Sequence, residues 1–199
     1  IYDDIFFITT YGGVKINGYC FYDTVLHKIL NKLSYGSKFS EWMKDTFYSS
    51  MKYDDVETVS CPSMNFDDLK GVWKLRNLKE IYCFNNNLTT LDDLRFNINL
   101  KVVSATGNKI TELSYVKNLK SLEKLWLSKN KIESIEGLEE LKNLNTIDFS
   151  NNNIKTAIDT IKQMDKLTSI NLFNNKISHK ESEEIKDYCR KNLFSFFIV

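Results

Sequence analysis

Two histidines are available to move a proton or ligate a metal, His27 and His179. They lie near opposite ends of the chain, and neither has a cysteine or serine beside it in a nucleophile motif. Each therefore reads as a surface or satisfied core histidine rather than a catalytic one. The four cysteines, Cys20, Cys61, Cys83 and Cys189, match no zinc-binding spacing. They read as reduced thiols, which favours a reducing compartment. Gly12-Gly13 lacks the spaced glycines and the lysine of a phosphate-cradling loop. Paired acids recur at Asp54-Asp55, Asp67-Asp68, Asp92-Asp93 and Glu139-Glu140. Solvated turns and local caps account for them, because a calcium site needs more oxygen ligands at tighter spacing. Asn87-Leu88-Thr89 is a glycosylation sequon, which has meaning only in a eukaryotic secretory pathway. The expectation is a protein that is not an enzyme, with no cofactor and no metal.

The totals exclude further classes. Hydrophobic content of 42% with 27% charged residues belongs to a folded, soluble chain. A net charge of +1 sets up no strong field toward nucleic acid or a membrane surface. No apolar run reaches the roughly 18 residues that a membrane span requires. The chain starts at Ile1, so a missing signal peptide is no argument against secretion.

What organises the chain is a period. Between Leu122 and Leu144 the text reads LEKLWLSKNKIESIEGLEELKNL, with apolar residues at 122, 125, 127, 132, 135, 138 and 141 and Asn130 between the clusters. That spacing is neither helical nor purely alternating. It returns from starts at 56, 78, 100, 122 and 144, which are 22 residues apart, and once more at 167 after a step of 23. Such self-similarity marks a solenoid, in which no repeat buries its apolar edge alone. Asn86, Asn108, Asn130, Asn152 and Asn175 recur after the xLxL segment and are expected to form a buried ladder. Met64 replaces the asparagine in the first repeat, and the second has Ile98 where a clean final leucine is expected. Twenty-two residues leave little room for a full helix, so the opposite side is expected to be extended or 3₁₀. Cys61 and Cys83 fall on the same inward position of neighbouring strands, within disulfide reach, but each replaces an inward leucine and reads as a buried free thiol.

The pattern L-x-x-L-x-L-x-x-N-x-I/L resembles the leucine-rich repeat family, in its 22-residue subtype, over residues 56–178. The resemblance implies an α/β fold: a leucine-rich-repeat solenoid, a curved right-handed superhelix with a parallel sheet on its concave face and a 3₁₀ or extended convex side. Residues 1–55 read as an N-terminal cap: two short β-type runs, a helix over 23–33, and a second helix capped by Ser37 or Ser40 and running to about Met51. Residues 179–199 read as a C-terminal cap, a helix with Ile185, Tyr188 and Cys189 inward followed by the strand-like run LFSFFIV. Burial of that run is expected, because an exposed one invites aggregation.

Strand alternation then separates constant from variable letters. With the leucines inward, the residues between them face the other way. Those positions offer Glu80, Tyr82, Phe84, Val102, Ser104, Lys124, Trp126, Lys129, Asp148, Asn171 and Phe173 as candidate partner-binding residues. The core does not require the aromatics among them, and aromatics concentrate at binding hot spots. Small residues at Ser104, Thr106 and Gly107 leave a shallow depression between Tyr82/Phe84 and Trp126. The mixed charges argue against a nucleic-acid stripe.

These residues and the resemblance point to a monomeric, non-catalytic module that binds a protein partner on the concave face. An intracellular scaffold or regulator, similar to phosphatase-regulatory leucine-rich repeat proteins, is favoured, with a cytoplasmic location. A secreted or surface pathogen protein resembling internalins and binding a host receptor is the first alternative. A component of an RNA–protein complex is the second. An effector whose catalytic part lies in residues 1–55 or outside this chain is a further class, disfavoured because that segment is short and holds one histidine.

Overall fold

Each xLxL segment forms a three-residue strand, because the alternating apolar residue packs inward and its neighbours reach solvent. The computed structural model describes residues 35–47, 53–114 and 116–198. The strands are β1 (Thr58–Ser60), β2 (Glu80–Tyr82), β3 (Val102–Ser104), β4 (Lys124–Trp126), β5 (Thr146–Asp148), β6 (Ser169–Asn171) and β7 (Ser195–Phe197). They form one open, parallel seven-stranded sheet in sequence order. The register steps through one repeat at a time: Val59, Ile81, Val103, Leu125, Ile147 and Ile170 stack as Cα partners and are all buried.

The returning segments are short 3₁₀ turns at Val72–Lys74, Asp92–Phe96, Val116–Asn118 and Leu138–Glu140, in line with the length of the repeat. The extra residue of the fifth repeat is absorbed there by a short α-helix, α2 (Ile158–Lys162).

The asparagine ladder holds these turns together. Asn130 Nδ2 donates to Leu127 O in its own repeat and to Ala105 O in the preceding one, both at 3.0 Å. Its Oδ1 accepts from Ile110 N at 2.9 Å. Asn86, Asn108, Asn152 and Asn175 repeat the arrangement. Successive amides share carbonyls: Leu127 O accepts from both Asn130 and Asn152. Both lone pairs of a buried carbonyl are thereby used.

Asn97 is a buried polar group that the periodic reading passes over. It occupies the final inward position filled elsewhere by Leu75, Leu119, Leu141 and Met164, which leaves Ile98 60% exposed. Its Nδ2 donates to Val72 O and Leu75 O, but its Oδ1 is buried without a partner.

At the N-terminal side, Ser37 caps helix α1 (Lys38–Phe47), its Oγ accepting from Ser40 N, so Ser40 is inside the helix rather than its cap. Phe39 packs edge-on against Phe66 of the first repeat, with centroids 5.4 Å apart. Gly71 permits this approach: a Cβ there would lie 3.2 Å from Ser40 Oγ, and its φ of 99° suits glycine. The two β-type runs, the helix over 23–33 and Met51 lie outside the described residues.

At the other end, helix α3 (His179–Lys191) is capped by Ser178 and buries Ile185 and Cys189, with Tyr188 half-buried. Strand β7 pairs with β6, but the run that contains it is not wholly buried as expected. Leu193 is 91% exposed and Phe197 67%, while Ile198 is buried. The cause is alternation: Phe197 pairs with Asn171 and therefore falls on the outward row of the sheet.

Removing one rung should be costly. Asn130→Ala leaves Ile110 N–H without its acceptor and two carbonyls short of a donor. A loss of about 2–4 kcal/mol is expected in urea unfolding. Asn97→Leu should act oppositely and raise stability by about 1 kcal/mol. Val72 O and Leu75 O keep their backbone donors, and an orphaned oxygen is removed.

Candidate functional site

The outward residues of the sheet form two rows. Thr58, Glu80, Val102, Lys124, Thr146, Ser169 and Ser195 make the first. Ser60, Tyr82, Ser104, Trp126, Asp148, Asn171 and Phe197 make the second. Tyr82 and Trp126 are thus two strands apart, roughly 10 Å at ordinary strand spacing, with Ser104 between them. Both rings are half-buried. Phe84 is half-buried where the chain leaves β2, and Phe173, 47% exposed, holds the matching place after β6.

Two of the expected contact residues are less available than their register suggests. Val102 and Ser104 share the outward face but are only 8% and 7% exposed. On an outward face, small side chains are covered when larger neighbours lean across them. Phe197 joins the second row without having been legible in the repeat, because β7 follows a helix instead of a further repeat.

The charged groups on this face differ in how they are engaged. Tyr82 Oη donates to Glu80 Oε2 at 3.0 Å. Burial, then that hydrogen bond and the charge of Glu80, hold the tyrosine phenol above its usual pKa. Asp148 Oδ1 accepts from Ser150 N at 2.9 Å and from Ser150 Oγ at 2.8 Å. Lys124 and Lys129 are exposed.

The turn after each strand passes through a left-handed residue. Ser63, Asn85, Lys129, Asn151 and Asn174 have φ between 54° and 57°, and Gly107 has 68°. The conformation suits glycine and asparagine and penalises a lysine. A family model for leucine-rich repeats (two copies) matches residues 98–140, across the middle of this sheet. The chain carries leucine-rich repeats.

Solved structures agree over most of its length. An internalin (inlF) of Listeria monocytogenes superposes with a TM-score of 0.63 over 84% of this chain, at 16% identity. Internalin C2 of the same organism gives 0.56 over 75%, at 20% identity. A leucine-rich repeat protein of Leptospira interrogans gives 0.61 over 73%, at 25% identity. The chain spans 57%, 79% and 43% of those three chains respectively. No curated protein shows a significant match to its sequence. Leucine-rich repeat solenoids generally offer the concave sheet as an extended binding surface, and they are typically interaction modules without catalysis.

The remaining reactive groups of this leucine-rich repeat protein are built into its frame. Cys61, Cys83 and Cys189 are free and buried. Burial pushes the Cys61 thiol up to about 12 and Cys189 to about 11, and holds Cys83 well above its ordinary value. Thiols so far from ionisation are poor nucleophiles and metal ligands. Among the described residues no group of three or more His, Cys, Asp or Glu side chains is placed to hold a metal ion. No helix among them is long and apolar enough to cross a membrane. His179 is exposed at the start of α3, and His27 and Cys20 lie outside the described residues.

The paired acids divide between backbone N–H groups and nearby cations. Asp93 Oδ2 accepts from Leu69 N at 2.9 Å, tying the second repeat to the first. Burial raises the Asp93 carboxyl to about 6, against the pull of that hydrogen bond. Asp68 is also pushed up by burial, but hydrogen bonds from Ser37 and Lys70 outweigh this and bring it below its usual value.

The sign of the Asp93 effect follows by linkage. The folded chain keeps this proton up to about pH 6, whereas the unfolded chain releases it near 3.8. Stability held by the protonated form is therefore lost as pH rises through that window. Asp93→Asn, which still accepts from Leu69 N–H, should melt higher than the wild type at pH 7.5. The gap should close by pH 4 in parallel thermal melts, and a gap independent of pH would contradict the assignment.

Proposed function

We propose that this leucine-rich repeat protein is a non-catalytic module that holds a protein partner on its concave sheet face. The observation that carries the reading is the pair Tyr82 and Trp126. Their rings stand on the outward row, one strand to either side of Ser104, and contribute nothing to the inward core. Large aromatics kept half-exposed among mostly small and polar residues, with Phe197 on the last strand the other large apolar member of the row, form a hot-spot pattern. Phe84 and Phe173 extend the apolar area toward the turns, while Glu80, Lys124, Asp148 and Asn171 supply a polar surround. Ser104 acts as the floor between the rings, and Val102 as the floor between Glu80 and Lys124, rather than as direct contacts.

The module is read as a monomer that serves as an intracellular scaffold or regulator. Three buried, unbridged cysteines, two of them on neighbouring inward positions, suit a reducing compartment. The mixed charge of the face supports a protein partner over nucleic acid.

A Tyr82→Ala/Trp126→Ala variant tests the site in an affinity pull-down followed by calorimetry. Each truncation is expected to weaken partner binding by about 2 kcal/mol or more if it removes a hot spot. The melting temperature should change little, since neither ring belongs to the buried core. Wild-type affinity in the double variant would move the binding site off the concave face.

A further inference from the structure

We propose that the partner presents an extended acidic segment to β4, with an apolar side chain over Trp126 and a carboxylate toward each of Lys124 and Lys129. The inference rests on the concave-face reading and adds the chemistry of the ligand.

The first observation is how the lysines of this protein are used. Lys79, Lys101, Lys120, Lys155 and Lys162 each pair with a glutamate one repeat away: Glu57, Glu123, Glu140, Glu133 and Glu184. Lys124 and Lys129, like Lys109 and Lys131, have no such pair, and neither Nζ has a hydrogen-bond partner among the described residues; what sets the two apart is their place beside Trp126 on the outward face. The acids on the same face are engaged internally, Glu80 by Tyr82 Oη and Asp148 by Ser150. Among the described residues, the cations flanking Trp126 have no partner on this face.

The second observation is backbone conformation. Five equivalent turns place serine, asparagine or glycine in the left-handed region, at Ser63, Asn85, Gly107, Asn151 and Asn174. The turn after β4 places Lys129 there, with φ 54°. A lysine has no conformational reason to occupy that site, and its ammonium has no partner among the described residues. Ser63 is the other member that is neither glycine nor asparagine, but Lys129 alone of the six puts a long cation there, and strain kept at such a place is a mark of use outside the fold.

Spacing then defines the ligand. Lys124 and Lys129 leave the backbone five residues apart, at most roughly 17 Å in extended chain, with Trp126 between them. In an extended peptide, side chains i, i+2 and i+4 share one face, and i and i+4 lie about 13 Å apart. A segment with acids at i and i+4 and an aromatic or large aliphatic residue at i+2 meets both lysines and the indole. A nucleic acid would supply the charge but would favour a continuous basic stripe, which Glu80 and Asp148 interrupt.

The test is panning of a random-peptide phage library on the immobilised full chain, then fluorescence anisotropy with the enriched peptides. The expected peptides carry Asp or Glu at i and i+4 around an apolar residue. Changing both acids to Gln should weaken binding about fivefold or more, in a salt-dependent way. The Lys124→Gln/Lys129→Gln variant should bind acidic and Gln peptides alike. Lys129→Asn should raise the melting temperature while lowering affinity for the acidic peptide, a trade that a purely structural lysine would not show.

Enriched peptides that depend on Trp126 but not on their acids would overturn the acidic ligand and leave the concave-face site standing. Acid dependence surviving in the double lysine variant, or failure to enrich any peptide, would also overturn it. So would tighter, lysine-dependent binding of an oligouridine probe at the same face.

Discussion

One shared hydrogen-bond system sets the geometry of this protein. A parallel strand of three residues has too few ladder bonds to persist alone, and the turn that follows it exposes backbone groups to a dry interior. The asparagine at each turn answers both needs. Its amide donates to its own repeat and to the one before, and its oxygen accepts from the one before. Because adjacent rungs share carbonyls, as Asn130 and Asn152 share Leu127 O, the ladder is continuous from Asn86 to Asn175. The leucines supply most of the burial, but the ladder makes the register unique. A slip by one residue would leave the amides buried and unpaired.

That rigidity frees the other face. With strand spacing and turn conformation held from below, the outward letters need only be compatible with a strand, and they vary from Thr58 to Trp126. The exception is the left-handed position, where backbone conformation restricts choice and Lys129 departs from the restriction. The ends of the array are managed differently. Helix α1 docks its Phe39 on Phe66 and is admitted by Gly71. Helix α3 reaches back to repeat five, where Glu181 Oε1 accepts from Ala157 N and Ile158 N.

Much of the fold was legible in the letters. The starts of the repeats, the inward leucines, the five ladder asparagines and the 3₁₀ return segments all follow from one period. Tyr82 and Trp126 were found as outward aromatics by the same reasoning. What escaped it were departures from periodicity. Asn97 sits in a leucine slot, and Ile98 beside it drew attention to the wrong residue. Phe197 joins the outward row after a helix has broken the count, so its face could not be read from the repeat.

The sequence by itself therefore determined which residues point inward and how neighbouring repeats stack, because both depend on local alternation copied at a constant step. Tertiary structure decided how accessible each outward residue is and what its charge has to do. Val102 and Ser104 are buried although their register turns them outward. Asp93 acquired its raised pKa from burial, which outweighs the hydrogen bond it accepts from Leu69 N, a repeat away. Lys124 and Lys129 have no partner among the described residues, while Lys79, Lys101 and Lys120 found glutamates one turn along. Such properties belong to pairs of side chains on different repeats, and a period fixes only where their backbones lie.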